Sequence, residues 1–160
     1  MKTVIEDKLA SLGITLPEPP APAGSYVPIT SIGNMLFVSG QIPFEDGKVQ
    51  FIGKVSEDNL ETGQRSARLC ALNVLAQIKR NVGLDKIEKI VKVSGFVNSE
   101  SNFTKHPSVI NGASDLFFEI LGDSGRHARV AVGVSGLPFD SMTEIDAIVQ
   151  ISNHVYPEKN

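Results

Sequence analysis

An α+β domain, with helices packed on one face of a mixed sheet, is what this sequence predicts, on three observations. Two long segments place apolar residues three and four apart, the spacing of a helix face. Several shorter ones are β-branched or alternate apolar with polar residues, the spacing of a strand. They follow the order helix, hairpin, strand, helix, strand, helix, strand, strand, with no internal repeat. The 160 residues suffice for one such domain.

The first element is a short helix over residues 3–12. Val4, Ile5, Leu9 and Leu12 recur at helical spacing, and Gly13 is a natural stop. Pro17-Glu-Pro-Pro-Ala-Pro22 follows, with four prolines in six residues. Proline fixes φ and lacks an N–H, so this stretch is expected to be an extended connector. The chain thus divides into an N-terminal helix and connector (1–22), a main domain (23–153) and a polar tail (154–160).

Tyr26–Thr30 and Met35–Ser39 flank Ser31-Ile-Gly-Asn34, where Gly33 and Asn34 tolerate the positive φ of a hairpin turn. Phe44–Gly47 reads as a turn-rich loop and Val49–Gly53 as a short strand. The longest helix is expected from Asn59 to Val82, with Asp58 and Glu61 as a capping box. Leu60, Ala67, Ala71, Val74, Leu75, Ile78 and Val82 form its apolar stripe, and Gly83 its left-handed stop. Ile87–Asn98 is β-branched and predicts a long strand. Pro107 suits the start of a second helix, buried through Val109, Ala113, Leu116, Phe117 and Ile120 and ended by Gly122.

Two strands close the domain. In 126–135, Ala128, Val130, Val132 and Val134 point one way and His127, Arg129, Ala131 and Gly133 the other. In 142–151, Ile145, Ala147, Val149 and Ile151 alternate with Glu144, Asp146, Ile148 and Gln150. One sheet face is then left with Ala131, Gly133 and Ile148 among polar groups. Such a part-apolar face usually finds a partner subunit.

Composition narrows the function. Fifteen basic and eighteen acidic residues leave −3, which gives nucleic acid no general attraction, and no Lys/Arg run is present. No apolar stretch approaches the ~20 residues of a membrane span. The start, MKTVIEDKLASLG, does not resemble a signal peptide, so a cytoplasmic protein is expected. The single Cys70 excludes an internal disulfide or a Cys-cluster zinc site and reads as a small hydrophobe. His106, His127 and His154 share no ligand spacing, so no metal site is expected, and no GxSxG, P-loop or dinucleotide fingerprint occurs.

Chemistry must therefore rest on a few polar groups. Arg129 lies mid-strand beside the small Ala131 and Gly133, with room for its planar fork to grip a carboxylate. It could equally pair with Glu144 or Asp146 as a structural ion pair. Glu144, if partly buried, could hold a water or move a proton, or serve as a cross-strand partner for Arg129 or Lys92. Gly40 in Ser39-Gly-Gln-Ile-Pro43 permits close approach of a ligand to backbone, or simply ends a strand. Tyr26 could cap a pocket or sit at the core's edge. Asn111, a poor helix former, could bond a ligand or tie down a loop. His127 shares the face of Arg129 and titrates near neutrality, at ~6.5 when unperturbed.

Taken together, Tyr26-Val27, Gly33-Asn-Met35, Ser39-Gly-Gln-Ile-Pro43, Asn111 before Phe117-Phe118, Ala128-Arg129, Leu137-Pro138 and Glu144-Ile-Asp-Ala147 resemble the YjgF/RidA family in order and spacing. That family also carries the label endoribonuclease L-PSP. The resemblance covers about Gly24 to Ile151, and the N-terminal helix and connector are similar to a longer branch of it. It implies a chorismate-mutase-like fold, a homotrimer with ligand clefts between subunits, and no cofactor. It also implies hydrolytic deamination of 2-enamines and 2-imines such as 2-aminoacrylate. Arg129 would clamp the substrate carboxylate and Glu144 would help place water. Gly40 would offer backbone hydrogen bonds, with Tyr26 and Asn111 shaping the cleft. His127, Ala131 and Ser114 stand where archetypal members have proline, cysteine and tyrosine. A non-catalytic module that binds small carboxylic or 2-oxo acids is the main alternative. RNA cleavage is a further one, disfavoured by the negative charge and the lack of a His pair placed for ribose chemistry.

Overall fold

The computed structural model describes residues 3–152; the polar tail with His154 lies outside the described residues. Helix α1 (Val4–Ser11) is capped by Thr3, whose hydroxyl accepts from the Glu6 amide while the Glu6 carboxylate accepts from the Thr3 amide. Leu9 is buried, and Lys79 binds Glu6 at 2.9 Å, fastening α1 to the long helix. Val4, expected on the buried face, is exposed: only one side of this short helix meets the domain.

Strands β1 (Ile29–Ile32) and β2 (Met35–Gln41) form the expected hairpin, with Gly33 at φ +58° in its turn. β1 starts at Ile29 rather than Tyr26, immediately after Pro28, which cannot donate to a ladder. The expected loop at Phe44–Gly47 is half of a second small hairpin, β3 (Phe44–Glu45) with β4 (Lys48–Val49), and the expected strand 49–53 survives only as this short pairing and an isolated bridge at Ile52.

Helix α2 (Leu60–Asn81) carries the predicted stripe, with Ala67, Ala71, Val74, Leu75 and Ile78 buried. Its capping differs from expectation. Ser56 and Asn59 exchange side-chain and backbone bonds across a short 3-10 turn before α2, so Asp58 and Glu61 do not form the box. Both patterns are chemically competent, and the chain uses the earlier one. β5 (Ile87–Asn98) and α3 (His106–Leu121) match their predicted spans closely. β6 (Ala128–Val134) and β7 (Thr143–Ile151) complete the domain.

The sheet order is β1-β2-β7-β5-β6, antiparallel except for β5 with β6. A parallel pair needs a crossover, which α3 supplies. Both α2 and α3 pack on one face, as predicted, and Gly112 lets them approach closely, since a Cβ there would overlap the Gln64 carbonyl. The core between helices and sheet includes Leu36, Val93, Phe117, Ile145 and Val149.

Pairing overturns the predicted faces of β6. The register Ala147–Val93–Arg129 puts Arg129 on the helix side, beside the partly buried Ala131. The register Glu144–Phe96–Val132 puts Val132, and with it Val130, on the helix-free face with Glu144 and Ile148. β6 is an edge strand, so its valines need not face the core. The helix-free face is consequently more apolar than expected: Phe37, Val130 and Val132 are 38%, 40% and 39% exposed on it.

Candidate active site

The polar residues singled out from sequence fall into two groups that the fold keeps apart. The first surrounds Arg129. Its Nη1 donates to Asn111 Oδ1 at 2.8 Å and to Ser114 Oγ at 3.2 Å, both on α3. Asn111 and Ser114 are three apart and so lie on one side of the helix. His127 Nδ1 lies 2.7 Å from the Gly125 carbonyl, which can only accept, so this nitrogen carries the proton. In the neutral ring Nε2 then accepts from the Ser114 hydroxyl at 2.9 Å. Burial lowers the pKa of His127, and the nearby Arg129 cation adds to the effect against a raising bond to Gly125. The ring is thus kept neutral as an acceptor. The chain Gly125–His127–Ser114–Arg129 sets the guanidinium.

Arg129 makes no ion pair with any described residue, so it pairs with neither Glu144 nor Asp146. The guanidinium's hydrogen bonds to described residues all run from Nη1, which leaves the rest of the fork for a guest. It borders an open cleft of about 390 Å³ that Phe118, Arg126 and His127 also line.

The second group lies around the end of β2. Gly40, Tyr26 and Glu144 line one cavity of about 510 Å³. A Cβ on Gly40 would overlap the Glu144 carboxylate, so the glycine is what lets that acid lie against the strand. The pairing of β2 with β7 shifts register between Val38 and Gln41, across Gly40. Burial raises the pKa of Glu144, and the neighbouring Asp146 carboxylate raises it further.

Two walls of this cavity were not foreseen. One is the connector, through Pro20, Ala21 and Pro22. The proline run was visible in the sequence, but its place in the fold was not. The other is Phe139, held at φ +56° beside Asp140 at φ +54°. Asp140 is anchored by the Gly53 amide at 2.7 Å and by Asn98 Nδ2 at 3.0 Å. Left-handed backbone at a bulky residue persists only where its surroundings enforce it.

Arg129 and Glu144 therefore sit on opposite sheet faces with β5 between their strands, and one chain does not bring them together. No group of three or more metal-binding side chains occurs among the described residues. No described helix is long and apolar enough to cross a membrane.

Residues 6–151 match the family model described as "YjgF/chorismate mutase-like, putative endoribonuclease". The chain belongs to this YjgF family. Among its YjgF relatives, Protein TCP17 of Trypanosoma cruzi is 45% identical, over 91% of this chain and 92% of the relative. A 2-iminobutanoate/2-iminopropanoate deaminase of Dermatophagoides farinae is 31% identical, over 86% of this chain and 94% of the relative. A crystal structure of a protein with unknown function from Agrobacterium tumefaciens superposes with a TM-score of 0.86 at 49% identity, covering 93% of each chain. That of E. coli TdcF with bound serine gives 0.61 at 28% identity, over 84% of this chain and 94% of TdcF. The YjgF fold expected from sequence is thus the fold observed.

Proposed function

We propose that the protein hydrolyses 2-imino and 2-enamino acids of the 2-aminoacrylate type to 2-oxo acids and ammonia. It does so in the cytoplasm, as a homotrimer whose clefts join the Arg129 group of one subunit to the Glu144 group of the next. The observation that carries this reading is that two chemically complementary groups lie on opposite faces of one chain, where that chain cannot join them. An unpaired guanidinium held by neutral partners has what a carboxylate needs. A half-buried carboxyl whose pKa is raised by burial holds a proton more readily than an exposed one, which suits a proton carrier. The apolar helix-free face, with Phe37, Val130 and Val132, supports burial against neighbouring subunits. The deaminase among the relatives supports the chemistry.

In this mechanism Arg129 grips the substrate carboxylate with its free N–H groups and fixes the C=N carbon over Glu144. Tyr26 and Asn111 shape the cleft, and the backbone at Gly40 bonds the substrate. Glu144 takes a proton from the attacking water as the C–O bond forms, giving a carbinolamine. Returning that proton to nitrogen, and taking the hydroxyl proton onto Glu144 as the C–N bond breaks, releases ammonia and leaves the 2-oxo acid. Water is the only co-reactant, so atoms and charge balance without a cofactor. Imines already hydrolyse in water, so positioning and one proton carrier suffice. The serine bound to TdcF favours one further reading, a module that binds small carboxylic acids without turnover. RNA cleavage has no such support.

The test generates 2-aminoacrylate with a dehydratase and follows its decay. Acceleration by the protein, lost in Arg129→Ala and in Glu144→Gln, is expected. Mixing and reassembling those two variants should restore roughly a quarter of wild-type activity, because random assortment in a trimer rebuilds one intact shared site in four. No acceleration of any imine, or a monomer in sedimentation at micromolar concentration, would overturn the reading.

A further inference from the structure

Resting on the deaminase reading, we propose that the proline-rich connector fits this protein to 2-imino acids with bulky apolar side chains, which it accommodates between the connector and the end of β2. The cavity holding Glu144 has a volume of about 510 Å³. A 2-imino acid with a methyl side chain would leave most of that space unused. Away from Glu144 the walls are mostly apolar, through Pro20, Ala21, Pro22, Ile42, Phe44 and Val49, with Gln41, Lys48 and Gln77 the polar side chains among them. Prolines suit such a wall, because they bring no backbone N–H that the guest would leave unpaired.

The connector is fastened in place. Gln77, 3% exposed, donates from Nε2 to the Pro20 carbonyl and to Gln41 Oε1, both at 3.3 Å. Arg80 Nη1 donates to the Pro19 carbonyl at 3.2 Å and lies 3.6 Å from Glu18. Two α2 side chains, one turn apart, therefore hold Glu18, Pro19 and Pro20. The wall is preformed, and a guest need not order it.

Each buried methylene adds about fourfold in affinity. An isobutyl or benzyl side chain should thus favour binding over methyl by at least tenfold. The experiment measures binding of pyruvate, 4-methyl-2-oxopentanoate and phenylpyruvate by calorimetry, and decay of the corresponding imines. It uses the wild type and Ala21→Phe, which fills the cavity from the exposed connector. Ala23→Phe, on the same wall, serves if the first variant does not fold. The two larger acids should bind at least tenfold tighter than pyruvate, and the variant should reduce that ratio at least tenfold. Equal affinities, no binding of any of the acids, or a ratio unmoved in the variant would overturn the inference. Rapid 2-aminoacrylate decay without a size preference would leave the deaminase reading standing and remove this one. A size preference in binding with no imine accelerated would do the reverse.

Discussion

The Arg129 cleft and the Glu144 cavity treat charge in opposite ways. Arg129 stays exposed, and its bonds go to an amide and a hydroxyl that leave its charge uncancelled. Glu144 is half-buried beside another carboxylate and is pushed toward its neutral form. One region advertises a charge and the other suppresses one. The difference teaches that neither is built for structural pairing. An ion pair between them would stabilise the chain and consume both groups.

The strongest way to break the comparison is Arg129→Ala. Losing two charge-assisted hydrogen bonds to the substrate should lower kcat/KM about a thousandfold. An exposed side chain with neutral partners contributes little to folding, so the melting temperature should barely move in calorimetry. A large fall in stability would mean that Arg129 is structural. Glu144→Gln should cost about a hundredfold in kcat, the worth of a proton carrier.

That same variant carries a pH signature. The folded pKa of Glu144 lies above its ordinary 4.5, so its favourable contribution is complete below that value. It is lost as pH rises through the folded pKa. The amide has no proton to lose. Glu144→Gln should therefore gain stability relative to wild type between pH 4 and 7 in denaturant melts, while activity falls. A relative loss over that range would contradict the assigned burial.

Gly40→Ala sharpens the contrast by pushing the Glu144 carboxylate off the strand, with an expected loss of about tenfold in kcat. The smallest effect belongs to His127→Gln, roughly threefold in kcat/KM for one neutral hydrogen bond behind Arg129. His127 has a folded pKa below its ordinary 6.5, so it contributes stability above that pH. The contribution is lost as pH falls through the folded value. The variant should flatten the acid limb of the stability curve, read by melting between pH 7 and 5.

Regular elements were largely legible in the sequence. The α2 stripe, the β-branched Ile87–Asn98, Pro107 near the start of α3 and the stops at Gly83 and Gly122 are local signals, and the fold obeys them. What was not legible depends on which strand lies beside which. The valines of β6 alternate as if one face were core, yet they lie at an edge with no helix over them. The identities of Arg129, Glu144 and Gly40 were readable from their motifs. Their separation onto two faces was not, because alternation along a strand does not say which face is covered. The resemblance marked Ser114 as a departure from the family's tyrosine, but not its bond to Arg129, since a serine inside a helix has no pattern that says what it touches.

Cys70 is fully buried on α2, its thiol beside the Thr143 hydroxyl and carbonyl at 3.3 and 3.5 Å and its pKa pushed far up by desolvation. The only sulfhydryl in the chain is therefore a clock for opening between α2 and the start of β7. A thiol-reactive dye would modify it at the rate at which that seam parts, so one optical trace would time breathing of the native molecule without any engineered label.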